Sequence, residues 1–93
     1  AASDVYKRQP ETLCTLISMQ LSRFAGAGNY WTIYDPHWPG MIAIRLEQLG
    51  ERYVPVDGAK FYTWLQTPDL TWQDVVSMVA RKRKQLNKTH NHK

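Results

Sequence analysis

A second cysteine is missing from this 93-residue chain. Cys14 stands alone, so no disulfide within the chain can staple the fold; this suits a reducing compartment, and the expected location is the cytoplasm. Long apolar runs are missing too. No stretch approaches the roughly 20 residues that span a bilayer and nothing reads as a secretory leader, so no membrane contact is expected. The chain also lacks a phosphate-cradling glycine loop, a helical HExxH, paired-cysteine zinc spacing and a Gly-x-Ser-x-Gly elbow. Without them the recognisable nucleotide, zinc and serine-hydrolase chemistries have no carrier, and neither cofactor nor metal is expected.

Acid is missing from one end. Residues 81–93, RKRKQLNKTHNHK, hold Arg81, Lys82, Arg83, Lys84, Lys88 and Lys93 and no carboxylate, a local charge of +6. The first eighty residues keep the other six cations against all eight carboxylates, a net −2, although the whole chain reads +4. A mildly acidic body with a basic end is a different object from a uniformly basic protein.

What is present suffices for one folded unit. Apolar residues make up 43% of the chain, near the globular average, and they recur with clear periodicity. Residues 1–9, AASDVYKRQ, resemble the in-frame translation of a sequencing-library adapter, and the first methionine is Met19. They are expected to be a non-native leader on a gene assembled from metagenomic sequence, with residues 10–87 forming a single domain and 88–93 a basic flexible tail.

Along that domain, Leu13, Leu16, Ile17, Leu21 and Phe24 recur at helical steps, predicting a helix from Pro10 to Ala25 that stops at AGAGN. Tyr30–Asp35 alternates as a strand, with Trp31 and Ile33 expected inward and Tyr30, Thr32 and Tyr34 outward. DPHWPG breaks it. Met41–Gln48 predicts a second strand with Ile42, Ile44 and Leu46 inward, and Arg52–Val56 a third with Val54 and Val56 inward and Tyr53 outward; Gly50 supplies a positive φ between them. Asp57 is placed to cap a helix over Gly58–Gln66. Thr71 and Asp74 stand at capping-box spacing, with Leu70 placed to staple onto Val75, so a last helix is predicted from Trp72 to about Asn87. The expected fold class is α+β: a three-stranded antiparallel meander packed with about three helices, in the order α-β-β-β-α-α. In outline alone, three strands and a helix resemble small domains that lay a sheet in the DNA major groove, but the basic sheet face which that docking needs is missing here.

Few residues point to chemistry. Asp35 and His37 lie two apart in the proline-rich turn, but an acid–base pair needs a third partner or a nucleophile, and turn formation accounts for both, so no catalytic residue is expected. His90 and His92 fall short of a closed metal site. Consecutive Arg81–Lys84 spread around a helix and stabilise its C-terminal dipole, yet six cations without an acid exceed what capping requires. The leading expectation is a non-enzymatic accessory protein that contacts nucleic acid or a nucleoprotein through Arg81, Lys82, Arg83, Lys84, Lys88 and Lys93. Tyr30, Tyr34, Arg45 and Tyr53 are expected to share an outer sheet face that either stacks bases or is covered by a helix. The alternative is a protein-binding inhibitor or adaptor of the kind phage and mobile elements carry, docking through Tyr34, His37 and Trp38 on a stiff loop.

Overall fold

The computed structural model describes residues 10–24, 29–34 and 40–91. Helix α1 covers Pro10–Leu21, strand β1 Tyr30–Tyr34, and strand β2 Met41–Leu46, followed by a 3-10 turn at Glu47–Leu49. Strand β3 covers Val54–Asp57, helix α2 Gly58–Leu65 and helix α3 Trp72–Asn91. The sheet runs β1-β2-β3 with both pairs antiparallel, so the α+β meander and its element order are as the sequence predicts. The suspected leader and the DPHWP turn, with Asp35, His37 and Trp38, lie outside the described residues.

One face of the sheet carries the core. Ile42, Ile44 and Leu46 of β2 and Val54 and Val56 of β3 are buried together with Leu13, Ile17 and Leu21 of α1, Phe61 and Leu65 of α2, and Val75, Val76 and Val79 of α3. Each such side chain contributes about 1.5–3 kcal/mol on leaving water, and the helical 3–4 spacing of these residues brings all three helices onto the same layer.

The local signals work as chemistry requires. Asp57 accepts the backbone N–H of Lys60 at 3.0 Å, which fixes the start of α2. At the start of α3 the capping box closes both ways: the Thr71 N–H donates to Asp74 Oδ2 at 2.9 Å, and the Asp74 N–H donates to Thr71 Oγ1 at 3.2 Å. Half-buried Leu70 packs against the core that holds Val75. Gly50 takes φ 103°, the left-handed conformation expected where β2 turns toward β3. Gly58 is required for a different reason. A Cβ there would sit 2.8 Å from Leu13 Cδ2 and 2.9 Å from Ile42 Cγ1, so helix α2 begins in contact with α1 and the sheet only because the side chain is absent.

Several boundaries differ from the sequence reading; β2 ends at Leu46, two residues before Gln48, and the 3-10 turn begins at Glu47. Helix α1 ends at Leu21, not Ala25, because its last turn tightens: Arg23 and Phe24 donate to Gln20 and Leu21, three residues back, at 3.1 and 3.2 Å. Strand β3 starts at Val54, two residues later than Arg52. Helix α3 runs to Asn91, beyond Asn87, since no glycine or proline follows Pro68 to stop it.

The larger correction concerns β1. Tyr30, Thr32 and Tyr34 lie opposite Leu46, Ile44 and Ile42, so they belong to the helix-covered face and are half-buried. Trp31 and Ile33 point the other way and are 40% and 47% exposed, contrary to their expected place in the core. A hydroxyl explains the choice. The Tyr30 OH donates to the Ser18 carbonyl at 2.9 Å and lies 2.5 Å from the Ser22 hydroxyl, so this tyrosine can be covered by α1 without an orphaned polar atom.

Candidate nucleic-acid interface

No described helix covers the second face of the sheet. It presents Trp31 and Ile33 from β1, Met41, Ala43 and Arg45 from β2, and Pro55 from β3, all partly or largely exposed. Tyr53, one position before β3 and 39% exposed, has the same parity. Trp31 and Arg45 are direct cross-strand partners, and the Arg45 guanidinium carbon lies 4.1 Å from the Trp31 ring centroid. Such a contact is worth about 0.5–1 kcal/mol at an exposed site and keeps a cation and an aromatic ring together on this face. Arg45 is further steered by a long hydrogen bond, 3.4 Å, from its Nε to the Gly50 carbonyl.

The expected stacking group is therefore split by the fold. Arg45 and Tyr53 are on the open face, whereas Tyr30 and Tyr34 are on the covered one and cannot stack bases beside them. Their place is taken by Trp31, which sequence parity assigned to the core. Tyr34, the one described member of the expected partner-docking loop, is half-buried on the helix side.

The basic helix is divided in a similar way. Val75, Val76 and Val79 define the inward stripe of α3, and Arg83 continues it four residues beyond Val79. Half-buried Arg83 donates from its guanidinium to the Leu49 carbonyl, which ties α3 to the turn after β2. This contact sets it apart from the other cations expected to bind nucleic acid, because part of its guanidinium is engaged within the fold. Arg81, Lys82 and Lys84 are exposed, and none is paired with a carboxylate among the described residues. Arg81 and Lys84, three apart, share an outward line of the helix on which position 88 also falls. The four consecutive cations alone suggest that no face collects them; the longer helix gathers every third or fourth one.

One turn anchors both elements. Arg45 reaches Gly50 from the sheet and Arg83 reaches Leu49 from the helix, so the aromatic face and the cationic helix adjoin the same turn. Nothing in the linear sequence joins positions 45 and 83.

A second feature escaped sequence reasoning. Lys60 and Trp64, one helical turn apart on α2, line a cleft with Val56, Asp57, Phe61, Met78 and Lys82. The spacing Lys-x-x-x-Trp was the available signal. Among the described residues no group of three or more His, Cys, Asp or Glu side chains gathers as a metal site, and no helix is long and apolar enough to cross a membrane. Compared with protein-family models, with curated proteins and with solved structures, the chain finds no match.

Proposed function

We propose that the protein is a non-enzymatic accessory factor that binds nucleic acid or a nucleoprotein, its phosphates met by Arg81, Lys82 and Lys84 and by Lys88 and Lys93 of the basic end. Bases stack on the open face, on Trp31 backed by Arg45 and on Tyr53. The observation that carries this reading is the exposed row of cations, unpaired with carboxylates among the described residues, on a helix tied to the same turn as the aromatic sheet face that no described helix covers. Sequence-tolerant single-strand binding uses this pair of features, a charged track for the backbone and π-surfaces for the bases.

The test is fluorescence anisotropy with a labelled single-stranded oligonucleotide across a salt series. If four to six cations meet phosphates, log affinity for a single strand falls with log salt at a slope of about −3 to −4. An Arg81→Gln, Lys84→Gln double variant is expected to flatten that slope by about 1.5. It leaves Arg83 in place, so the helix stays attached. A slope near zero, or one the variant does not change, overturns the proposal. A protein partner is the second reading, favoured by Ile33 and Met41 on the open face; association insensitive to salt marks it.

A further inference from the structure

We infer that the cleft between α2, α3 and β3 binds a small organic anion built on a single aromatic ring system, at a site apart from the sheet face and from the Arg81–Lys84 line, sharing only Lys82 with the proposed phosphate contacts. Its walls are apolar, from Val56, Phe61, Trp64 and Met78, and its charge comes from Lys60 and Lys82.

Size limits the occupant first. The cleft encloses about 200 Å³. A cavity of about 150 Å³ is enough for benzene, so this one takes a phenyl or indole nucleus with one short substituent and no more. Shape comes next: Trp64 and Phe61 stand with ring centroids 5.7 Å apart and tilted by 34°, a pair that gives an aromatic ligand a π-surface to lie against.

Charge then sets the sign. Asp57 also borders the cleft, but its Oδ1 accepts the backbone N–H of Lys60, so that carboxylate is committed to holding the helix start. Two ammonium groups against one engaged carboxylate leave a net positive rim over an apolar floor. Both lysines come from different elements, α2 and α3, and are exposed. A carboxylate or phosphate on the ring's substituent meets them while the ring leaves water.

The probe is indole-3-acetate, followed by amide chemical shifts of the whole chain in two-dimensional NMR, with indole-3-acetamide as the neutral isostere. Saturable shifts centred on residues 56–64 and 78–82 are expected, with a dissociation constant of about 0.1–1 mM, the range open to a ligand of this size. The neutral amide is expected to bind about five-fold more weakly. A Lys60→Gln, Lys82→Gln variant is expected to lose that preference while its own spectrum stays dispersed, both side chains being exposed. Shifts that fail to saturate, that centre elsewhere, or that are equal for acetate and amide overturn the inference, as does a preference kept by the double variant. The probe carries no phosphate chain, so failure here leaves the nucleic-acid reading standing, and a flat salt series leaves this cleft standing.

Discussion

Tyr30 and Trp31 are neighbours in one short strand, and they show how differently the two faces of this sheet are built. Tyr30 turns to the helices, its hydroxyl engaged by Ser18 of α1 and by Ser22 just past its end, among aliphatic side chains that are almost wholly buried. Trp31 turns to the open side, where the Arg45 guanidinium lies over its ring and two-fifths of its surface stays exposed. The covered face is aliphatic and close-packed, with polar atoms satisfied from the helix. The open face is aromatic and cationic, with side chains lying on the sheet instead of interlocking. Stability therefore resides on one side, and the capacity to meet another molecule on the other.

That division can be broken most sharply at the middle of the sheet. Ile44→Ala, at a fully buried position of the central strand, is expected to cost about 2–5 kcal/mol, whereas Ile33→Ala, on the open side of β1, should cost less than about 1 kcal/mol. Urea denaturation of the two variants is the check, and similar costs would show that the open face is covered in solution. Gly58→Ala tests the covered side where backbone approaches side chain. The new methyl meets Leu13 and Ile42, and a loss of about 1–3 kcal/mol is expected in the same experiment.

Smaller effects separate the two aromatic neighbours. Tyr30→Phe keeps the ring and deletes the hydroxyl shared with α1, with an expected loss of about 0.5–1.5 kcal/mol. Trp31→Ala removes the arginine stack and should lower stability by about 0.5–1 kcal/mol. The same substitution is expected to weaken single-strand binding by about 1–3 kcal/mol for the base it stacks, while Tyr30→Phe leaves binding unchanged. A Trp31→Ala protein that binds as well as the parent would remove the open face from the interface.

The elements were legible in the sequence wherever a local device encloses its own partners. The Thr71–Asp74 box, the Asp57 cap and the glycine at position 50 each act within four residues, and each is found where spacing puts it. β2 and β3 were legible in parity too, because each alternates aliphatic with other residues. β1 was not. Its two faces, Trp-Ile and Tyr-Thr-Tyr, are both amphipathic, and period-2 alternation says that they differ without saying which is inside. The decision rests on Ser18 and Ser22, a dozen and eight residues away, whose hydroxyl and carbonyl groups let a tyrosine be buried. Lys60 with Lys82, and Arg45 with Arg83, were likewise beyond reach, because each pair depends on how α3 crosses the rest of the domain.

The contact between Arg83 and the Leu49 carbonyl has one more consequence. A guanidinium is a planar fork of N–H donors, so a grip on a main-chain carbonyl is steered in angle as well as in distance, which the single rotating ammonium of a lysine would not do. The stretch of helix beyond position 83 is thus carried from a fixed point, and its reach is set by the number of turns past that anchor.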